Sequence, residues 1–228
     1  RDDVESRGLG DVYKRQMVYG KPQYLPVDAG HPQQPFGYYG ASKKKAEDIC
    51  RKFRDRGMNI TIFRPRMIIG KGRLGILIKL FKLIEWNLPV PMIGSGKNCY
   101  QMVSVNDCAD AVLKAVDHNF PNAEYNLGSK NPPQVKELLQ GIIKQNRSKS
   151  VLLPTWGSFV KAVLGIFGKV GVEIMYKEQY MIADEDYIID ISQTEKELGW
   201  HPQYNDADMM QAAFIEYQNH HRKEDKND

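Results

Sequence analysis

The amino-acid sequence predicts an α/β fold built around a parallel sheet. The stretch from Phe36 to about Arg56 predicts a helix, and Gly57 follows it as a typical C-cap residue. The apolar, β-branched run Met58–Pro65 comes next and has the composition of a buried parallel strand. A helix followed by a strand at this spacing is half of a βαβ unit, from which parallel sheets are assembled.

The rest of the chain continues this alternation of helices and strands. Apolar residues at helical spacing predict helices over Leu74–Leu88, from Asn106 onward, over Pro133–Gln145 and over Met209–Tyr217. Short strands are predicted at Pro91–Asn98 (with a turn), Gln101–Val105, Glu124–Gly128 and Lys149–Pro154. We interpret a further apolar stripe, Val160–Phe167, as core or as a lid over a substrate, with a membrane-surface helix as the less favoured alternative.

Composition limits the class of protein. The 228-residue chain is 42% hydrophobic and 26% charged, which is ordinary for a globular protein with a substantial core. Its net charge, 32 minus 28 or +4, is scattered, so nothing favours a nucleic-acid partner. Three cysteines without ligand spacing indicate a reducing compartment and no metal site. No apolar run approaches the ~20 residues that span a bilayer, so we expect a cytoplasmic protein without a membrane partner.

Two residues of the first helix have the chemistry of a proton-transfer pair. Tyr39 and Lys43 are four residues apart, so their side chains are neighbours on one helix face. We expect the lysine cation to favour the phenolate and to lower the tyrosine pKa from its ordinary value of about 10. That change would bring the phenol closer to the pH at which it exchanges protons most effectively. A bare Y-x-x-x-K also occurs often by chance, so the spacing alone is weak.

The longer string around this pair is more specific. The sequence Tyr39-Gly40-Ala41-Ser42-Lys43, with Ala46 and Glu47 after it, closely resembles the active-site helix of the NAD-dependent epimerase/dehydratase family, the extended short-chain dehydrogenases. Other segments resemble motifs of that family in the same order: Val18–Gly20, Arg64–Gly70, Val105–Ala111, Tyr125–Gly128 and Tyr187–Pro202. The resemblance covers about residues 17–218.

The resemblance implies a Rossmann-type parallel sheet, of which this chain carries only the second part, and a smaller C-terminal α+β substrate domain. We expect residues 17–128 to form the remaining sheet with interleaved substrate-domain segments, 129–218 mainly the substrate domain, and 219–228 a disordered tail. The Gly-rich turn that cradles a pyrophosphate is missing, since no G-x-x-G-x-x-G follows a predicted strand. The chain is therefore expected to be a C-terminal fragment of an enzyme.

The first sixteen residues do not look native. Residues 6–16 resemble, one for one, a translated transposon-end sequencing adapter, so we exclude residues 1–16 from the fold. Native sequence is then expected to begin at or near Met17. The family's catalytic Ser or Thr precedes Val18 by three residues, and that position is held here by Arg15, inside the extension.

The resemblance also implies roles for four residues. Tyr39 is expected to exchange the proton of a substrate hydroxyl, and Lys43 to hold the nicotinamide ribose. Pro65 and Arg66 match positions that line the nicotinamide. The cofactor is expected to be NAD or NADP; the residue that decides between them belongs to the missing part.

Two departures from the family's pattern concern the substrate. Met67 stands where many sugar-nucleotide enzymes carry an Asn, and Tyr100 stands where many carry an Arg for the diphosphate. The first expectation is a nucleotide-sugar epimerase or dehydratase. The alternatives are an NAD(P)-dependent reductase or dehydrogenase of a less polar alcohol, as in the 3β-hydroxysteroid-dehydrogenase-like branch, and a non-catalytic cofactor-binding regulator.

The remaining expectations are structural. Asp107 is expected to cap the helix that begins nearby, and the string ending at Pro202 to be a packing element. Relatives often dimerise through a four-helix bundle that includes the Tyr39–Lys43 helix, so a homodimer through this helix is expected for the parent. Four histidines without ligand or triad spacing are interpreted as surface residues: His118, His201, His220 and His221.

Overall fold

A computed structural model describes residues 18–35, 37–70, 72, 74, 77–155 and 185–224. The expected non-native extension 1–16, the predicted native start at Met17 and the apolar stripe Val160–Phe167 lie outside the described residues. So do the last four residues of the expected tail, 225–228.

Helices and strands alternate along the described chain. The helices are α1 (Tyr38–Arg54), α2 (Leu77–Glu85), α3 (Val105–Asp117), α4 (Val135–Gln145), α5 (Ser192–Leu198) and α6 (Asp206–Glu224). The strands are β1 (Ile62–Pro65), β2 (Met67–Ile69), β3 (Val90–Ile93), β4 (Met102–Ser104), β5 (Glu124–Leu127) and β6 (Leu152–Thr155). This order and the parallel pairing described below confirm the predicted α/β class.

The chain divides into two compact units, each assembled from three stretches of sequence. The first contains the described residues up to Ile68, with Gln101–Lys130 and Tyr187–Tyr204. The second contains the described residues of Ile69–Tyr100 and Asn131–Asp186, and the chain from Asn205 onward. Residues 187–204 therefore belong to the first unit, although they lie within the stretch 129–218 that we expected to form mainly the substrate domain. They are held there by strand-like pairing, since Val27 and Ile189 form a parallel bridge.

The first unit is organised around a parallel strand pair. Strand β1 pairs with β5 in the register Ile62↔Glu124 to Pro65↔Leu127, and β2 pairs with β4. The strand predicted over 58–65 begins only at Ile62 in the structure, and Met58 is exposed. The reason is that β5 begins only at Glu124, so the backbone N–H of Ile60 bonds the Asn122 side chain (2.8 Å) instead of a strand partner.

Helix α5 and the residues after it pack against α3, as predicted for the string that ends at Pro202. Helix α5 ends at Leu198, and its C-cap residue, Gly199, has a φ of 60°, in the left-handed region that glycine adopts readily. Trp200 is fully buried, and its Nε1 donates a 2.9 Å hydrogen bond to the backbone carbonyl of Asp107 in α3. The motif is thus a packing element of the first unit.

The predicted capping role of Asp107 is wrong. Helix α3 begins at Val105, so Ser104 is the N-cap residue and its Oγ accepts the Asn106 backbone N–H at 3.1 Å. Asp107 lies inside the first turn, where its Oδ1 accepts the backbone N–H of Gln203 at 3.0 Å. Burial raises the pKa of the Asp107 carboxyl despite that hydrogen bond.

The second unit contains a parallel pair and a helical core. Strand β3 pairs with β6 in the register Val90↔Leu152 to Ile93↔Thr155. Phe81 of α2 meets Phe214 of α6 edge to face, with ring centroids 5.1 Å apart. Helix α6 extends to Glu224, so residues 219–224 are helical and not the start of a disordered tail. No Pro or Gly occurs between 206 and 224 to end this helix earlier.

Candidate active site

Helix α1 positions the predicted proton-transfer pair. Its N-cap residue, Gly37, has φ 115° and ψ 160°, a conformation that is essentially restricted to glycine. Tyr38 is 97% exposed, whereas Tyr39 and Lys43 are half-buried. The Lys43 Nζ lies 5.0 Å from the centroid of the Tyr39 ring. The structure therefore brings the two side chains together as their spacing predicts.

The direction of α1 places this pair toward one end of the sheet. Near the end of α1, Arg54 donates to the carbonyl of Ile60, just before β1. One to two turns earlier in the helix, Glu47 contacts Arg64 near the end of β1. Helix α1 thus runs antiparallel to β1, and its first turn, with Tyr39, lies toward the carboxyl end of the strand. Ligands bind at this end in open α/β sheets.

The residues predicted to line the nicotinamide follow the same strand. Pro65 is the last residue of β1, and the backbone N–H of Arg66 donates to the carbonyl of Leu127 at 2.8 Å. The Arg66 guanidinium lies over the Tyr187 ring, 4.1 Å from its centroid. Burial raises the pKa of the Tyr187 phenol, although the charge of Arg66 opposes that rise.

The two residues predicted to face the substrate lie in different units. Met67, in β2, belongs to the first unit and is buried. Tyr100 belongs to the second unit and is half-buried. The structure thus groups Met67 with Tyr39, Lys43 and Arg66 in one unit, and leaves Tyr100 in the other.

A buried polar network that joins α1 to β1 was not predicted from the sequence. Arg64 is only 2% exposed and forms two hydrogen bonds with the Glu47 carboxylate: Nε to Oε1 at 2.9 Å and an Nη2 to Oε2 bond at 2.7 Å. Its Nη1 donates to the Tyr19 hydroxyl and to the carbonyl of Ala29, both at 2.7 Å. Tyr19 in turn donates to Asn126 Oδ1 at 2.8 Å. All of these residues belong to the first unit.

Burial and charge set the protonation of this network. Burial alone would raise the pKa of Glu47, but the hydrogen bonds and charge of Arg64 hold it below its ordinary value. Burial raises the pKa of Tyr19 to about 12, although Arg64 opposes that rise. At neutral pH the network therefore contains the Glu47 carboxylate, the Arg64 guanidinium and the neutral Tyr19 phenol, and a second guanidinium, that of the more exposed Arg51, donates to Glu47 Oε2 at 3.0 Å.

A sequence signal for this network did exist. Arg64 stands in an apolar strand, and a buried charge needs a partner of opposite sign. Glu47 follows Lys43 by four residues on α1, at the end of the string that resembles the family's active-site helix. Neither residue was assigned a role, because their pairing joins residues 17 apart in two different elements.

The loop before α1 is tied to the same network. Gln33 Nε2 donates to Glu47 Oε2 at 2.6 Å, and Lys44 Nζ donates to the Gln33 carbonyl at 3.1 Å. His31, which the sequence analysis left without comment, is 2% exposed and accepts the Gln23 backbone N–H at Nε2. The loop before α1 thus has a buried anchor.

Of the other histidines, the two whose side chains the structure describes show no catalytic arrangement. His118 and His201 are exposed, as predicted, and His201 Nδ1 lies 2.8 Å from Glu195 Oε1. The side chains of His220 and His221 are outside the described set. Among the described residues, no cluster of His, Cys, Asp and Glu could hold a metal ion. None of the described helices is both long enough and apolar enough to cross a membrane.

The connection between β2 and α2 carries glycines at G-x-G-x-x-G spacing that we did not single out: Gly70, Gly72 and Gly75. A strand, such glycines and a helix form the setting of a dinucleotide phosphate turn. Here, however, the Gly72 backbone N–H donates to Glu216 Oε1 at 2.6 Å. A carboxylate on this amide occupies the place that a phosphate oxygen would need, so the contact gives no support for a pyrophosphate at Gly72.

Comparison with known proteins decides the family. The profile of the NAD dependent epimerase/dehydratase family matches residues 16–128, the stretch that contains Tyr39, Lys43 and the β1–β5 pair. The chain belongs to this family. Membership agrees with the order of motifs along the sequence and with the α/β architecture.

Relatives of this epimerase/dehydratase chain include two curated proteins of very different origin. It is 32% identical to the uncharacterized protein y4nG of Sinorhizobium fredii over 205 aligned residues. The alignment covers 88% of this chain and 51% of that protein. It is 35% identical over 134 residues to a putative UDP-glucose 4-epimerase of Methanocaldococcus jannaschii, covering 56% and 43%. The chain thus spans about half the length of the curated relatives it matches.

Solved structures share its Rossmann-type fold. The UDP-glucose 4-epimerase of Thermotoga maritima, solved with UDP-glucose, matches with a TM-score of 0.68 at 18% identity, over 90% of this chain and 61% of that one. The UDP-glucuronic acid 4-epimerase of Bacillus cereus, solved with NAD, matches with a TM-score of 0.67 at 16% identity, over 89% and 59%. At these identities the likeness concerns the fold.

Proposed function

We propose that this chain carries the proton-transfer pair of an NAD(P)-dependent nucleotide-sugar epimerase or dehydratase. The observation that carries the proposal is the contact of Lys43 Nζ with the Tyr39 ring at the start of α1, toward the carboxyl end of β1. Membership of the NAD dependent epimerase/dehydratase family supports it. So do the names of relatives, among them UDP-glucose and UDP-arabinose 4-epimerases.

In this proposal Tyr39 takes a proton from a substrate hydroxyl or returns it. Lys43, beside the ring, stabilises the phenolate form that accepts the proton. Bound NAD(P) supplies hydride transfer to and from the substrate carbon. Half-burial of Tyr39 and Lys43 leaves both groups reachable by a ligand while shielding them from bulk water.

The residues present fit one end of the cofactor. Tyr39, Lys43, Pro65 and Arg66 would hold its nicotinamide and ribose, since they lie where open α/β sheets bind ligands. Among the described residues, we find no comparable fit to the pyrophosphate of the cofactor. A G-x-x-G-x-x-G spacing occurs at Gly165–Gly171, but it begins inside the predicted helical stripe Val160–Phe167 and not after a strand, and it lies outside the described residues.

We therefore propose that the 228-residue chain, by itself, turns over no substrate and binds NAD(H) weakly. Isothermal titration of the chain with NADH would measure that affinity. A dissociation constant in the micromolar range would contradict this part of the proposal, and a titration without heat would support it. Activity is to be assayed in a full-length protein that also contains a phosphate-binding turn.

The nucleotide part of the substrate can be tested by competition. With full-length protein, NAD and a panel of UDP-sugars, we expect formation of the epimer or of the dehydrated sugar, and inhibition by UDP. The second candidate is a reductase or dehydrogenase of a less polar alcohol; the buried, apolar Met67 favours it where many sugar-nucleotide enzymes carry Asn. Cofactor turnover that millimolar UDP leaves unchanged would exclude the first candidate and favour the second.

A non-catalytic regulator would keep the fold without using Tyr39. Two adjacent tyrosines offer a matched pair of variants, because Tyr38 is 97% exposed and Tyr39 is half-buried against Lys43. Turnover that is unchanged in Tyr39→Phe and in Tyr38→Phe alike would favour the regulator. Loss of turnover in Tyr39→Phe alone would support the enzyme.

A further inference from the structure

The pair of Glu47 and Arg64 joins the helix that carries Tyr39 to the strand beside it. Both of the Glu47 carboxylate oxygens accept hydrogen bonds from Arg64, at 2.9 and 2.7 Å. A guanidinium and a carboxylate bonded in this two-point manner fix each other's plane as well as their separation. The contact therefore restrains the rotation of α1 about its axis and its position along β1.

The pair is buried, and its hydrogen-bonding atoms are engaged by groups of the protein itself. Arg64 is 2% exposed and Glu47 is 7% exposed. Replacement of a buried ion pair by apolar residues is often neutral or stabilising, so stability alone does not explain why such a pair is kept. A role in orientation fits the geometry better.

The spacing along α1 connects the pair to the proposed chemistry. Tyr39, Lys43 and Glu47 are successive members of one four-residue row, and each step along the helix axis is about 6 Å. A rotation of about 10° moves an atom ~6 Å from the helix axis by about 1 Å. A misplacement of that size can reduce a rate by about 100-fold.

The loop before α1 is restrained by the same two residues. Arg64 donates to the Tyr19 hydroxyl and to the Ala29 carbonyl, and Glu47 accepts from Gln33 at 2.6 Å. The strand, the loop and the helix of the first unit thus share one buried polar centre. A change at this centre would therefore shift the first turn of α1 both through the loop that precedes it and through the helix itself.

We propose that Glu47 and Arg64 are positioning residues that orient α1 and so aim Tyr39 and Lys43 at the substrate. This inference rests on the proposed function. It assigns a role in rate to two residues that touch neither substrate nor cofactor. The role requires the length of the Glu47 side chain and the forked shape of the Arg64 guanidinium, and not only their charges.

The test uses two conservative variants of the full-length protein, Glu47→Asp and Arg64→Lys. Each keeps its charge, and each loses part of the two-point contact. We expect kcat to fall by roughly 100-fold while KM for the sugar nucleotide stays within about twofold, at a temperature where circular dichroism shows the variant folded. A variant that only loosened the fold would lower the melting temperature and leave kcat of the folded protein unchanged.

Arg54→Lys is the matched control, because it repeats the Arg64→Lys change at the far end of α1, away from Tyr39. Arg54 donates from Nε to the Ile60 carbonyl and from Nη2 to the Ala123 carbonyl, both at 2.8 Å, so lysine keeps the charge and loses part of this contact. We expect its kcat to stay within about twofold of wild type. An equal loss in Arg54→Lys and Arg64→Lys would overturn the inference, because it would show that any loosening of α1 has this effect.

Tyr39→Phe separates the two proposals. If Tyr39→Phe is inactive and Glu47→Asp keeps the wild-type kcat, the positioning role is refuted and the proposed function stands. If Tyr39→Phe keeps full turnover, both proposals fail. If Tyr39→Phe is inactive, and Glu47→Asp and Arg64→Lys lose kcat at unchanged KM, the positioning role is supported.

Discussion

At the scale of single residues, burial decides which ion pairs affect the stability of the fold. Arg64 and Glu47 are nearly sealed from water and neutralise each other within the first unit. Ion pairs such as that of Lys130 with Glu195 lie at the surface, where such pairs contribute ~0–1 kcal/mol. The buried pair therefore gives the clearest single-residue predictions of stability.

Removing one partner of this pair should lower the free energy of unfolding strongly, and removing both should lower it much less. Glu47→Gln leaves the Arg64 charge buried without its counter-ion, and we expect it to lower the free energy of unfolding by about 3–5 kcal/mol. The double variant Glu47→Gln with Arg64→Met should recover most of that loss. Urea denaturation of the wild type and the variants measures both. Equal losses in the single and the double variant would contradict the account.

The pair also predicts how stability responds to acid. The pKa of Glu47 is lower in the folded chain than in the unfolded chain, chiefly because Arg64 opposes the effect of burial. Its contribution is therefore fully present above the unfolded pKa of about 4.3 and is lost as the pH falls through the folded pKa. The free energy of unfolding, measured by urea denaturation below about pH 4.3, should fall more steeply for wild type than for Glu47→Gln. Parallel curves would contradict this.

At the scale of elements, short contacts fix where helices begin and how they pack. Helix α3 begins at Val105, and the hydroxyl of its N-cap residue, Ser104, accepts the Asn106 N–H. Ser104→Ala removes this cap and should lower the free energy of unfolding by about 1 kcal/mol. Thermal or urea unfolding measures the change. No loss in Ser104→Ala would contradict the assignment of Ser104 as the cap.

The contact between α3 and the segment after α5 should be more sensitive. Trp200 is fully buried and donates to the Asp107 carbonyl. Trp200→Phe removes that hydrogen bond and leaves a void, so we expect a loss of about 2–4 kcal/mol in the free energy of unfolding. Trp86→Phe is the control, because Trp86 is 57% exposed, and it should change stability by less than about 0.5 kcal/mol. Similar effects of the two substitutions would contradict the packing role.

Elements were easier to predict from the sequence than their ends. Helix α1, strand β1 and their order follow from local spacing and composition, and the structure contains both. Their limits depend on distant partners: β1 starts at Ile62 because β5 starts at Glu124, and α3 starts early because Ser104 caps it. Such limits cannot be read from the local pattern alone.

At the scale of the whole molecule, the chain order does not follow the order in space. Each of the two units combines three separate stretches, so Tyr187–Tyr204 returns to the unit that contains α1. The pair of Tyr39 and Lys43 was predictable because the two residues are four apart on one helix. The Glu47–Arg64 pair was not assigned, because nothing local brings a helix residue to a strand residue 17 positions later.

The central claim is that Tyr39 exchanges a proton with the substrate. The most direct measurement follows turnover of a nucleotide sugar by the full-length protein with NAD, in wild type, Tyr39→Phe and Tyr38→Phe. We expect Tyr39→Phe to lose at least about 100-fold in kcat and Tyr38→Phe to keep the wild-type rate, since general acid–base catalysis contributes about 10²–10⁴-fold. Full activity in Tyr39→Phe, or equal losses in the two variants, would contradict the claim.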